Sequence, residues 1–339
     1  MSAPKAINLA LQGGGAHGAY TWGVCDRLLE DGRVEVAGIS GTSAGALNGA
    51  AIKAGLAQGG PEAARANLAW VWGEVERGSA SLANWFAAAA PGAGAFAAAL
   101  EASPGFQVLD AATRVVSPYA WGPLYANPLR PIVERFAYDA VRSPGGPRFF
   151  VNATNVRTGK VRVFDQAQIR PEVLMAAACL PTLFQAVEVD GEAYWDGGYT
   201  GNPALFPLYG ADLPDDIVIV NINPLDRPEV PRTAQAIQNR INEIGFNTSL
   251  LRELRAIDFV HRLVRAGKIP RGAMKDVLVH MIADDALMRR LSVATKLVPT
   301  RRVIHDLFLA GRAAADAFLE RDLPHVGERA TVDLQAMFA

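Results

Sequence analysis

Ser43 stands in the run Ile39-Ser40-Gly41-Thr42-Ser43-Ala44-Gly45, which reads as strand, tight turn and helix. In such a turn Gly41 and Gly45 remove the side chains that would collide with neighbouring backbone, so the serine hydroxyl is held out at the carboxyl end of a strand. The position is also a helix N-terminus, where unpaired N–H groups and the helix dipole favour developing negative charge. These are the requirements of a nucleophile that attacks an acyl carbonyl.

Gly13-Gly14-Gly15-Ala16-His17-Gly18 closes the preceding apolar strand. Consecutive glycines there can aim backbone N–H groups at one spot without side chains in the way. Donors from Gly13, Gly14 and Gly15, with the N–H of Ala44, are the expected oxyanion hole for a tetrahedral intermediate. The two turns meet if their strands are sheet neighbours. The same six residues satisfy Gly-x-Gly-x-x-Gly, so a dinucleotide-binding protein is the rival reading. That reading asks for an acidic residue at the end of the second strand, where Ser40 and Gly41 stand.

An activated serine needs a base. His261, His280, His305 and His325 lie downstream, and a Ser, acid, His order resembling the α/β-hydrolases is formally open. In that fold several strands precede the nucleophile, whereas here one strand precedes that of Ser43. The sharper candidate is Asp196 in Tyr194-Trp195-Asp196-Gly197-Gly198, where a hydrophobic strand delivers a carboxylate into a turn made by Gly197 and Gly198. Desolvation against Trp195 and Tyr194 is expected to raise its pKa toward a value useful for a general base.

The elements that must position these groups follow from periodicity. Strands are expected at Ile7 to Gln12 and Val34 to Ile39, each followed by a helix, which opens a parallel sheet with crossover helices. Hairpins are expected at 149–164, across Arg157-Thr158-Gly159-Lys160, and at 187–195, across Asp190-Gly191. Asp216 to Ile222 reads as a strand buried on both faces, and Val277 to Ile282 as a shorter one among helices. Residues 61–147 read as a helical cap or insertion. Within them the uncharged stretch Gly78 to Leu100 is broken by Pro91, Gly92 and Gly94 and is alanine-rich, so it suits a flap over a site better than a membrane span.

Composition bounds the partners. In 339 residues, 50% are hydrophobic and 20% charged, which places the chain among globular proteins. The net charge of -1 gives no whole-protein field toward nucleic acid, so none is expected as a partner. Cys25 and Cys179 are too few for a disulfide framework or zinc site and read as packed free thiols. The N-terminus lacks the charged and apolar regions of a signal peptide, so a cytoplasmic protein is expected.

Taken together, these pieces resemble the patatin-like phospholipases. The resemblance rests on the Gly13 to Gly18 turn, the Gly-Thr-Ser-Ala-Gly elbow at Ser43, Pro181-Thr182-Leu183-Phe184 before a hairpin, and Asp196-Gly197-Gly198 followed by Asn202-Pro203. It covers roughly residues 6 to 225. It implies a three-layer α/β/α sandwich with a mainly parallel central sheet, a catalytic domain over 1–225 carrying the 61–147 cap, and a mostly helical extension over 226–339. It further implies a Ser43–Asp196 dyad without a catalytic histidine, an oxyanion held by Gly14, Gly15 and Ala44, and no metal or organic cofactor. One departure stands out. The family commonly carries Arg or Lys in the glycine-rich loop, and this chain has His17, which bears no charge at neutral pH unless its pKa is raised.

The expected reaction is hydrolysis of a carboxylic ester with an apolar acyl chain, a phospholipid or lysophospholipid first by resemblance. The alternatives are another hydrophobic ester such as a polyester oligomer, and, outside enzymes, a non-catalytic lipid-binding module. Between Arg240 and Arg271 seven basic residues face three acidic ones among Leu, Ile and Phe. Such a helix suits either peripheral contact with an anionic bilayer or packing on its own core.

Overall fold

A computed structural model describes residues 3–78, 93–107, 116–270 and 272–338. The flap expected at Gly78 to Leu100 lies largely outside them. The chain opens with β1 (Lys5–Leu11), α1 (Gly18–Asp31), β2 (Val34–Gly41) and α2 (Ala44–Arg77), the last kinked where Gly60 leaves helical geometry before Pro61. After α3 (Ala93–Ala102) come β3 (Arg148–Asn155), β4 (Val161–Asp165), α4 (Pro171–Ala177), β5 (Val187–Val189), β6 (Glu192–Asp196) and β7 (Asp216–Asn221). The remainder is α5 (Ala234–Arg265), β8 (Leu278–Ala283), α6 (Val293–Leu297) and α7 (Arg301–Arg321), with shorter turns between.

All eight strands form one sheet in the order β5-β6-β3-β2-β1-β7-β8, with β4 also on β3. Strands β3, β2, β1, β7 and β8 run parallel to one another, and the two hairpins add the antiparallel pairs. Side chains alternate across the pleat, so Val218 and Val220 enter one core with Leu28, Ile52 and Leu307. Ile217 and Ile219 enter a second core with Leu250, Leu254 and Ile257 of α5. Helices on both faces of a mainly parallel sheet are the three-layer arrangement expected of the sequence. The sheet does not end at residue 225, because β8 pairs with β7 from Leu278 to Ala283.

One strand sets the site's geometry. β4 occupies one edge of β3 from Phe150 to Thr154. The other edge is divided: β2 pairs along it as far as Gly41↔Val151, and β6 takes over at Ala153↔Asp196. β2 is parallel to β3 and β6 antiparallel, so the carboxyl ends of β2 and β6 run head-on toward each other. Their last paired positions are two residues apart on β3, about 7 Å at strand rise.

Candidate active site

Ser43 is the second residue beyond this junction on one side and the N-cap of α2. Its backbone has φ 52° and ψ −123°, a conformation that L-residues rarely adopt and that costs free energy which the surrounding packing must offset. That packing is tight: a methyl group on Gly45 would lie 2.1 Å from the Leu11 carbonyl oxygen, and one on Gly13 would lie 2.6 Å from Ser43 Cβ. Glycine at these places is what lets the elbow press against the end of β1. Gly41 and Gly197 have equally little room.

Asp196 ends β6 and is fully buried. Its Oδ1 accepts the Gly198 N–H at 2.8 Å. Its Oδ2 is buried with no partner in hydrogen-bonding geometry among the described residues. Burial raises the pKa of this carboxyl to about 7, against the smaller opposing influence of the Gly198 N–H and the Ser43 hydroxyl. Ser43 therefore sits close enough to perturb the carboxyl without a fully aligned bond, as is common in a site without substrate. The desolvating neighbours differ from those expected. Trp195 falls on the opposite side of the pleat, Tyr194 packs edge-on against Phe164, and Gly198 beside the carboxyl abuts Phe246 of α5.

Ser43, Asp196, Gly14 and Gly15 line a common cavity of about 400 Å³. Its apolar wall comes from Leu180, Leu183, Phe246 and Leu297. The expected oxyanion set needs one correction. The Gly13 N–H is already donated to Asn202 Oδ1 at 2.7 Å and is not free to bind an oxyanion. Gly14, Gly15 and Ala44 keep their place as candidate donors. His17 is buried, with Nε2 2.9 Å from the Thr295 hydroxyl and Nδ1 without a partner among the described residues. Burial, then the nearby Lys296 and Arg227, hold its pKa well below the usual histidine value, so it is neutral and braces the loop. Ser40, where a ribose-binding acid would stand, donates its hydroxyl to the Ala204 carbonyl at 2.6 Å, which removes support from the dinucleotide reading.

Several polar residues that position these groups have weak signatures in the sequence. Gln12 Oε1 accepts from the backbone N–H groups of Ile222 and Asn223 at 2.8 and 3.0 Å, tying the loop to the end of β7. Asn223 Nδ2 donates to the Gly13 carbonyl at 2.8 Å. Asn152 on β3 reaches both turns. A polar residue closing an apolar strand, as Gln12 closes β1, is the signal that could have marked the first of them.

Among the described residues no helix is long and apolar enough to cross a membrane. A search of curated proteins returns no match. Among solved structures the chain is similar to VipD from Legionella pneumophila, at 14% identity and a TM-score of 0.46, over 94% of this chain and 67% of that one. The model of the patatin-like phospholipase family matches residues 9–209, a segment that contains the elbow, the glycine-rich loop and the Asp-Gly-Gly turn. Since that segment is more than half of the chain, the protein belongs to the patatin-like phospholipase family.

Proposed function

We propose that the protein hydrolyses carboxylic esters of lipids through an acyl-enzyme, with Ser43 as nucleophile and Asp196 as general base. The observation that carries this reading is the buried Asp196 carboxyl beside Ser43, with a pKa of about 7 and one oxygen left without a hydrogen bond. Such a carboxylate is basic enough near neutral pH to accept a hydroxyl proton in the transition state. Ser43 Oγ attacks the carbonyl carbon while its proton passes to Asp196, and the carbonyl oxygen gathers charge facing the N–H groups of Gly14, Gly15 and Ala44. Collapse expels the alcohol, which takes the proton from Asp196. Water, deprotonated by the same carboxylate, then attacks the acyl carbon, and the acid leaves as Asp196 returns the proton to Ser43 Oγ. The family acts on lipid acyl esters; phospholipid or lysophospholipid is the first substrate proposed here, with other hydrophobic esters next.

Peripheral contact with a lipid surface belongs to this reading. Ile237, Ile241 and Ile244 are 44%, 54% and 51% exposed and share one face of α5. They alternate with Gln238, Asn242 and Phe246, which line the cavity. The helix's basic residues are partly spent within the fold: Arg240 on Glu243 and Arg262 on Asp258.

The test is labelling with a fluorophosphonate probe together with turnover of a short-chain ester. Wild type should label and turn over, Ser43→Ala should do neither, and Asp196→Asn should lose turnover. A wild type that binds lipid without labelling or turnover would be a lipid-binding module instead.

A further inference from the structure

Lys296 is the one cationic side chain among the described residues that line the cavity containing Ser43. It lies outside the family-matched segment 9–209. It is carried on the short helix α6, which packs directly on the glycine-rich loop: a methyl group on Gly15 would lie 2.5 Å from the Lys296 carbonyl oxygen, and Thr295 holds His17. Its ammonium donates to Asn223 Oδ1 at 2.8 Å, and the same Asn223 amide donates to the Gly13 carbonyl.

An ammonium has three donors, and among the described residues this one has a single neutral partner and no ion pair. The cavity's other carboxylate besides Asp196 is Glu243, and it is already taken: Arg227 grips both its oxygens at 2.6 and 2.7 Å and Arg240 adds a third contact at 3.3 Å. Lys296, Arg227 and Arg240 against Glu243 leave a surplus of positive charge at this end of the site. Burial lowers the Lys296 pKa to about 8, with Glu243 opposing and Arg227 adding, so the group is still charged at neutral pH. Past Asn239 and Glu243 the cavity adjoins a larger cleft of about 1000 Å³ into which Arg232, Arg289 and Arg290 also face; Glu101 and Glu229 share its lining and Arg289 pairs with Asp285, so the cationic excess there is partial. A half-buried cation of this kind, short of hydrogen-bond partners, is stabilised by an anion and is poorly matched to a neutral ligand.

Resting on the hydrolase reading above, we propose that Lys296 is a specificity-determining residue that receives a phosphate carried by the substrate next to its scissile acyl ester, with the head group extending toward the arginine cleft. Lys296 is then the residue that sets the preference for the phosphate-bearing ester over the neutral acylglycerol of the same chain length.

The experiment compares kcat/KM for lysophosphatidylglycerol and for monoacylglycerol of the same acyl chain, in wild type, Lys296→Met and Lys296→Arg. Inorganic phosphate is added in a separate arm as a competitor of the neutral ester. Loss of a charge-assisted hydrogen bond should lower the ratio of the two kcat/KM values in Lys296→Met by about 10- to 150-fold, with partial recovery in Lys296→Arg. Inhibition by millimolar phosphate as strong as that by the intact lysophospholipid would overturn the assignment to a lipid head group. An unchanged ratio would overturn the role of Lys296 whether turnover falls equally on both esters, as for a field acting on the oxyanion, or does not fall. Wild-type turnover of neither ester would bring down the hydrolase reading and this proposal together.

Discussion

The Thr42 hydroxyl lies 2.6 Å from Asn152 Oδ1, and through this contact the turn that carries Ser43 is held to the turn that carries Asp196. Asn152 Nδ2 donates onward to the carbonyls of Gly197 and Gly201 at 3.2 and 2.7 Å. Asn152 stands on β3 between Val151, where β2 ends, and Ala153, where Asp196 pairs. One side chain thus spans the gap between two head-on strands. Asn152→Ala should remove the hydrogen bonds that join the two turns, although the Gly201 carbonyl keeps the Thr42 hydroxyl and the Gly197 carbonyl keeps backbone N–H groups, and should cost roughly 1–3 kcal/mol of stability. Loosening the two turns should also lower kcat by about 10- to 100-fold while KM changes less. Denaturant unfolding and steady-state kinetics check both; an unchanged kcat would remove Asn152 from the positioning of the dyad.

Asp196 must be ionised to accept a proton, so kcat/KM should rise with pH through a limb centred near 7, the value to which burial raises this carboxyl. Asp196→Asn should lower kcat by about 10²- to 10⁴-fold, the usual contribution of a general base. A pH–rate profile flat from pH 5 to 9 would exclude Asp196 as the titrating base.

The same carboxyl makes a thermodynamic prediction. Its folded pKa lies above its unfolded value of 3.8, so the native state holds the proton more tightly and stability falls as pH rises from about 4 to about 7. Asp196→Asn removes the buried charge and keeps an acceptor for the Gly198 N–H. Thermal unfolding should show the variant more stable than wild type at pH 8, by up to roughly 4 kcal/mol for a shift of about three pKa units, and equal to it at pH 4. A difference of the same size at both pH values would assign the effect to packing.

His17 contributes no charge, since burial keeps it neutral. His17→Ala should cost stability, roughly 1–3 kcal/mol for a lost buried hydrogen bond and the space left behind, and leave the midpoint of the acidic limb in place. A limb displaced by a full pH unit would mean that His17 titrates with the catalytic groups.

The exposed isoleucines on α5 are tested by the triple change Ile237→Ser, Ile241→Ser and Ile244→Ser. If each half-exposed side chain contributes about 1 kcal/mol on entering lipid, sedimentation with phosphatidylglycerol vesicles should show binding weakened about 100-fold. Equal sedimentation of variant and wild type would place the lipid-facing surface elsewhere.

Features whose cause lies within a few residues are legible in the amino-acid sequence. The elbow at Ser43, the glycine-rich turn and both hairpins depend on local backbone freedom and on the period of apolar side chains, and each stands within a residue or two of its expected bounds. The burial of Asp196 is legible too, because an apolar strand running into two glycines leaves its carboxylate little water. Its neighbours are not: pleat alternation turns Trp195 away, and Phe246 arrives from a helix that follows much later in the chain.

By itself, then, the sequence determined which residues are candidates to react and which kinds of element hold them. Tertiary structure alone decided that the Gly13 N–H belongs to Asn202, that His17 rests on Thr295, and that Lys296 stands beside the glycine-rich loop. The first two of these contacts join residues 189 and 278 positions apart along the chain. No periodicity or turn propensity encodes a contact at that range. It is set by how the loop after β6 and the helices α6 and α7 pack around the turn that follows β1, which depends on packing summed over the whole core.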